Sequence, residues 1–376
     1  MRKVKILIIT AVIMLFSGCI PHTELDKQAI ALAMGIDYSQ GEYEVTVQYF
    51  NMEGAGGSSP IDPSKTNVIT VSGKGETVIT ALESASVKCG RNFMYGITGI
   101  IVLGKAALTP YIPDTLSFAE SYYQTNPTVL IAAADGNAKD IMDVKFKEGV
   151  VSVEHPRSLL DNAAYHGLCG EIKILQLLSD QRQKSTATAL PLLKMTEKGS
   201  DATDDGKTVE LTGGVLLSDG HYAGDLSLSE LSGIQLMGER PENSLICVEA
   251  EGEKVNVTVY DVTRDIDVRF TEKGLVFTAI VHANGKYTDS QLSGKDPAFS
   301  EFVEKECETE LKRRISEAFG GTATAYGTDP FRLKYTVYHK DYPRWLEVKG
   351  SWGELLKTAE LRISCDVDID RFGITH

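Results

Sequence analysis

PAFSEFVEKECETELKRRISEAF, residues 297–319, decides the fold class. Phe299, Phe302, Val303, Cys307, Leu311, Ile315 and Phe319 recur mostly at steps of three and four, so the run is predicted as a helix with one apolar face, ended by Gly320-Gly321. Such a face must be buried against another layer. On its N-terminal side stand the apolar segments Val209–Leu217, Leu245–Ala250, Val255–Val262, Ile266–Phe270 and Leu275–Ala283, and after it Leu361–Ile369. Strands grouped around one long helix predict an α+β, multi-domain protein of mixed sheets with packed helices, not a doubly wound sheet.

Upstream, Ile30–Asp37 and Glu42–Tyr49 read as strands joined by the turn Ser39-Gln40-Gly41. Residues 52–66 are rich in Gly, Ser and Pro and read as a loop. Val78, Leu82, Ala85 and Cys89 mark a helical face over 78–89. Ile97–Leu103 and Thr128–Ala134 read as strands, 114–123, 137–143 and 156–180 as helices, and Leu190–Met195 as a strand. The charged, Gly-containing stretch 197–207 suggests a boundary. The expected division is therefore 1–18 as a signal segment, 19–197 as an N-terminal mixed domain, 208–262 as a small strand-rich middle domain, and 263–376 as a C-terminal α+β domain.

The start of the chain carries its own signal. Met1 to Lys5 is basic, Ile6 to Phe16 is an apolar region of eleven residues interrupted only by Thr10, and Ser17-Gly18-Cys19 follows, which is the layout of a bacterial lipoprotein signal peptide. Eleven helical residues cover about 16 Å, against a hydrocarbon core of about 30 Å, so the run is too short to span a bilayer. A thiolate at Cys19 can take a diacylglyceryl group, and the small Ser17 and Gly18 give a peptidase access to the bond before it. Two acyl chains hold a protein on a membrane persistently where one does not. Beyond the anchor, Thr23 followed by Glu24 and Asp26 can cap a short helix.

The net charge is −14, and −17 once Arg2, Lys3 and Lys5 are set aside with the acid-free signal segment. That balance argues against nucleic acid and against docking on anionic lipid through a basic face. Besides Cys19, Cys89, Cys169, Cys247, Cys307 and Cys365 form an odd, widely spaced set without CxxC, read as free thiols, with Cys89 and Cys307 on apolar helical faces.

Catalytic and metal motifs are not found. Gly73-Lys74-Gly75 lacks the third glycine of a phosphate-cradling turn and reads as a strand-to-helix turn. The seven histidines are scattered, with no HExxH, and no serine stands in a GxSxG elbow. Asp366, Asp368 and Asp370 alternate with Val367 and Ile369, and Arg371 occupies the sixth place where a calcium loop needs glycine, so they read as the solvated face of a strand. Asp265 and Asp267 take the same reading. Trp345 and Trp352 are expected mainly to pack, with Trp345 also a candidate partner contact.

Several segments together resemble the Ger(x)C family, the lipoprotein C subunits of spore germinant receptors. They are Cys19 followed by Glu24-Leu25, Ala33-Met34-Gly35-Ile36-Asp37 with Tyr43 to Gln48, Gly75 to Ile79, and Gly90-Arg91-Asn92-Phe93-Met94-Tyr95-Gly96. Gly213 to Leu217 with Gly224 to Ser227, Asp329-Pro330-Phe331 and Tyr342-Pro343-Arg344-Trp345 follow in order. The resemblance implies a non-enzymatic three-domain α+β lipoprotein on the outer face of the spore inner membrane. It would carry no cofactor beyond the lipid on Cys19, and would assemble with the integral-membrane A and B subunits. Arg91, Tyr95 and Trp345 are the expected contacts. Two rivals share the anchor and acidity: a solute-binding lipoprotein of an ABC importer, which needs two α/β lobes around a cleft, and an envelope hydrolase, which needs a nucleophile, base or metal.

Overall fold

Ile100–Gly104 and Leu130–Ala134 are buried at every position, as strands in the middle of a parallel sheet covered on both faces must be. The computed structural model in which they lie describes residues 27–50, 68–121, 126–144, 154–184, 186–197, 206–238, 243–272, 274–288 and 297–370. Cys19, the cap at Thr23 and the 52–66 loop lie outside the described residues.

Around these two strands, β5 (Ile100–Gly104) and β6 (Leu130–Ala134), a nine-stranded sheet is assembled in the order β3-β2-β1-β5-β6-β7-β8-β9, with β4 beside the start of β1. β1 (Gln28–Ser39) and β2 (Glu42–Phe50) form the expected hairpin, closed by Gln40 and Gly41 at φ 54° and 86°, the pair of left-handed residues that a tight two-residue turn requires. β3 (Val68–Gly75) pairs with β2 and lies outside the segments expected as strands. β1, β4 (Asn92–Met94), β5, β6 and β7 (Ala187–Thr196) run parallel. β8 (Thr208–Ser218) runs antiparallel to β7, and β9 (His221–Leu226) antiparallel to β8, which completes the sheet.

One face of the sheet is covered by α1 (Val78–Cys89), by the short helices α2 (Ile112–Thr115) and α3 (Phe118–Ser121), and by Ile174, Leu177 and Leu178. α1 is capped as its sequence demands: Thr77 Oγ1 accepts from the Thr80 amide at 3.1 Å, and Gly90 ends it at φ 70°. The other face is covered by α4 (Ala138–Met142), α5 (Glu154–Tyr165) and α7 (Leu228–Met237). The helical stretch expected over 156–180 is two helices, α5 and α6 (Ile174–Arg182). Gly167, at φ 67°, follows α5, and Lys173 bridges to Leu130 before α6 begins.

The second sheet has the order β10-β11-β12-β13, from β10 (Asn243–Ala250), β11 (Glu253–Thr271), β12 (Gly274–Tyr287) and β13 (Glu360–Ile369). α8 (Pro297–Phe319) lays Phe299, Val303, Cys307, Leu311 and Ile315 in the core between this sheet and α7. Phe302, expected on the same stripe, is 46% exposed, because a step of three from Phe299 turns it off the buried face. Gly320-Gly321 does not end the helix either: the chain continues through a wider turn over Gly320–Thr324, where Thr322 Oγ1 donates back to the Ala318 carbonyl at 2.6 Å.

Two expected divisions fall within paired strands. β7 pairs with β8 along its whole length, so 208–226 completes the first sheet. The line at 262–263 falls inside β11, where Asp261 at φ 52° and a register shift between Tyr260 and Thr263 make a bulge. Segments 255–262 and 266–270 read as two strands because that bulge interrupts the alternation. β13 shows the expected pattern, with Cys365, Val367 and Ile369 buried and Asp366, Asp368 and Asp370 exposed.

Candidate functional site

Asp329 begins the structure that joins the two sheets. It is fully buried, and its carboxylate accepts from the amides of Leu333 and Lys334, each at 2.8 Å, and from Trp352 Nε1 at 3.2 Å. These bonds fix the first turn of α9 (Leu333–Lys340), whose lead residue Arg332 is held at φ 58°. The backbone carbonyl of Asp329 accepts from the Ala187 amide at the start of β7. Pro330 suits the turn because it has no amide to satisfy there.

From this turn, polar side chains reach the first sheet. Arg332 pairs with Asp180 of α6 at 3.2 Å. Lys334 is almost wholly buried and donates to Thr186 Oγ1 and, at 3.1 Å, to the Lys184 carbonyl. Thr188 Oγ1 donates to Asp180 at 3.3 Å, Gln181 Nε2 donates to Thr188 at 3.1 Å, and Gln181 Oε1 accepts from the Gly220 amide at 3.0 Å. Tyr335 donates to Gln183 at 2.9 Å. Burial pushes the carboxyls of Asp329 and Asp180 above the usual carboxylate range, against the pull of their donors and of the nearby cations. Burial likewise holds the Lys334 ammonium below its ordinary value, opposed by Asp329 and Asp180.

Beside this joint is a cavity of about 220 Å³, lined by Glu171, Gln176, Asp180, Thr188, Gln235 and Arg332 among others. It is smaller than the 300–1,000 Å³ or so of a drug-sized ligand site. Asp180 and Arg332 in its wall are paired with each other, so the arrangement locks two layers together. Among the described residues no cluster of three or more His, Cys, Asp or Glu is placed to hold a metal ion, and no helix is long and apolar enough to cross a membrane.

The three residues expected as partner contacts do not converge. Arg91 is half-buried in the turn between α1 and β4, its carbonyl accepting from Ser86 Oγ at 2.7 Å. Tyr95 is 5% exposed, its ring 6.2 Å from Phe93 in the core, so its side chain cannot serve as the surface contact expected of it. Trp345 lies on the second sheet's side of the molecule, half-buried and edge-on to Trp352 at 5.4 Å, while Trp352 is sealed against Phe277. Sequence reasoning missed Asp180, Arg332 and Lys334; the one local signal was a charged pair directly after an apolar turn, Arg332 and Lys334 flanking Leu333.

Two domain families match the chain in series: the spore germination protein N-terminal domain over residues 21–195, and the spore germination B3/GerAC-like C-terminal domain over 212–373. The chain belongs to the GerAC-like spore germination family. A solved structure described as the GerBC protein is similar to this GerAC-like chain with a TM-score of 0.59 and 15% identity, covering 89% of this chain and 96% of that one, which shows a shared fold. No curated protein sequence matches the chain. The two family domains of the GerAC-like protein meet around the 197–207 stretch read as a boundary, although the strands on either side of it, β7 and β8, pair. Asp329-Pro330-Phe331, one of the segments that carried the Ger(x)C resemblance, is the turn that docks the second sheet on the first.

Proposed function

We propose that this protein is the lipid-anchored C subunit of a spore germinant receptor. It would be tethered through Cys19 on the outer face of the spore inner membrane and bound laterally to integral-membrane A and B subunits, contributing to receptor assembly and signal coupling. The observation that carries the reading is the match of both germination domains, in order, from residue 21 to residue 373. The signal-peptide layout ending at Cys19 supports the anchor. Confinement to a membrane raises effective concentration, so modest contacts with neighbours suffice for assembly. The role is one of binding and not of catalysis.

The importer reading needs two alike α/β lobes around an open cleft. Here a nine-stranded mixed sheet meets a four-stranded, mostly antiparallel one across a polar lock, which favours the receptor reading.

The test is a pull-down of the tagged protein from detergent-solubilised spore inner membranes, with Cys19→Ala as control. Co-recovery of two multispan proteins, reduced in the control, is expected. Recovery of an ATPase with its permease, or of the protein alone with a bound solute, would overturn the receptor reading.

A further inference from the structure

Among the described residues the three most exposed large hydrophobic side chains are Val87 at 81%, Leu175 at 57% and Ile97 at 56%. They come from three separate elements, yet the topology gathers them at one end of the first sheet. β1, β4, β5 and β6 are parallel, so their N-terminal ends point the same way, in two steps: β4 starts opposite Gln28, where Gln28 pairs with Asn92, and β5 and β6 start five residues further along β1, where Ala33 pairs with Ile100 and Ile100 with Leu130. α1 runs toward this end, delivering Val87 in its last turn just before β4. Ile97 sits between β4 and β5, next to Thr98, whose hydroxyl donates to the Ala31 carbonyl at 3.1 Å. Leu175 is in the first turn of α6, which starts where the Ile174 amide donates to the Val129 carbonyl at 3.0 Å.

The charge at this end differs from that of the whole molecule. Lys27 precedes β1, and Lys88 and Arg91 flank the end of α1, in a chain whose net charge is −14. Lys88 Nζ also donates to the Ser72 carbonyl at 2.7 Å, and nearby Lys173 and Arg157 pair with Glu171 and Asp161. Among the described residues of the turns that follow β1 and β6 at the opposite end, the exposed ones are Ser39, Gln40, Gly41, Glu42, Asp135, Gly136 and Asn137, none of them a large apolar side chain.

The tether decides what faces this end. From Cys19 to Lys27 is eight residue steps, at most about 28 Å of extended chain. β1 has 12 residues and spans about 40 Å. A lipid on Cys19 therefore cannot reach past the length of β1 to present the far end of the sheet.

We infer that the end of the first sheet bearing Val87, Ile97, Leu175, Lys27, Lys88 and Arg91 lies against the bilayer itself, its apolar side chains dipping among the headgroups and its basic ones meeting anionic phospholipid. The inference rests on the Cys19 anchor and adds an orientation to it. Insertion of isolated apolar side chains with flanking Lys and Arg is the chemistry of an interfacial contact. Net charge, a whole-molecule quantity, does not oppose it, because charges farther than about 8–10 Å are screened at physiological salt.

The test uses the full lipidated chain in vesicles of phosphatidylethanolamine and phosphatidylglycerol with no other protein. In a Cys89→Ser, Cys247→Ser background, nitroxide labels are placed by Val87→Cys, Ile97→Cys, Leu175→Cys and, as the far-end control, Gln40→Cys. Labels at 87, 97 and 175 are expected to be relaxed several-fold more by oxygen relative to a water-soluble nickel chelate than the label at 40. If the protein floats with the vesicles but all four labels are equally aqueous, the orientation is overturned and the anchor stands. Shielding of the three sites only after membrane subunits are added would assign this end to a protein interface and overturn the lipid contact. Failure of the lipid-modified protein to float would overturn the anchor and the inference together.

Discussion

Trp352 Nε1 donates to Asp329 Oδ2 at 3.2 Å, with both side chains sealed from solvent. That bond ties the helix preceding β13 to the turn that reaches the first sheet, so the two sheets are joined through a buried carboxylate with three donors and a neighbouring buried ammonium. Asp329→Ala would strand all three donors and remove the stronger of the two buried carboxylates acting on Lys334, leaving Asp180, and a loss of about 3–5 kcal/mol is expected. Asp329→Asn keeps an acceptor oxygen and is expected to lose less. Trp352→Phe, which removes only the indole donor and some volume, is expected to cost about 1–2 kcal/mol. Urea unfolding of the three variants checks the order; equal losses for Ala and Asn would show that the acceptors do not matter.

α7 and α8 touch backbone to backbone at Gly233. A Cβ added there would lie 2.2 Å from the Arg314 carbonyl oxygen and 2.8 Å from Ala318 Cβ, so the helices would have to part. Gly233→Ala is expected to destabilise by about 1–3 kcal/mol or more through overpacking. Gly350→Ala, where nothing lies within 4 Å, should stay within about 0.5 kcal/mol. Thermal melts of the pair decide it: similar midpoints would mean that the helix contact is looser than its geometry.

The parts of the fold legible in the sequence are those whose signal is local. Val78, Leu82 and Ala85 mark α1 because helical spacing repeats within two turns, and Cys365, Val367 and Ile369 mark β13 because alternation needs only neighbours. The joint was not legible. Asp180 and Arg332 are 152 residues apart, and nothing near either one announces the other. The burial of Tyr95 was not legible either: the sequence around it shows that the chain turns but not which side of the turn the core lies on. The bulge at Asp261 split one strand into two apparent ones because it resets the period on which the reading depends.

On α8, Glu310 accepts from Arg313 Nε at 2.7 Å and from Arg314 Nε at 2.8 Å, and these bonds hold its carboxyl below the usual carboxylate value of 4.5 despite partial burial. A carboxyl lowered in the folded state contributes stability that is present above about pH 4.5 and lost as pH falls through the folded value. Because the arginines are partly exposed, the contribution is expected to stay under about 1 kcal/mol. Glu310→Gln should therefore be less stable than the parent at pH 7, with the gap closing as pH falls below about 4.5. Urea midpoints from neutral to acid pH check this; a gap that stays constant throughout would mean that the ion pairs contribute nothing through titration.

The thiols divide by burial. Cys169, Cys307 and Cys365 are buried, and burial pushes each of them up to about 12, so at pH 8 only about one part in ten thousand is thiolate, and that fraction is shielded. Cys247 is exposed on β10, and Cys89 is half-buried at the end of α1. Titration of the native protein with a chromogenic disulfide at pH 8 is expected to show one fast thiol, removed by Cys247→Ser, and a slower one from Cys89. The remaining three should react only after denaturation. Cys19 enters the same count: a lipidated residue contributes no thiol, whereas an unmodified one adds a further reactive thiol, removed by Cys19→Ala. The total after denaturation, five or six, therefore reports the anchor chemistry directly. A fast native thiol that survives the combined Cys19→Ala, Cys89→Ser and Cys247→Ser changes would contradict the burial of Cys169, Cys307 and Cys365.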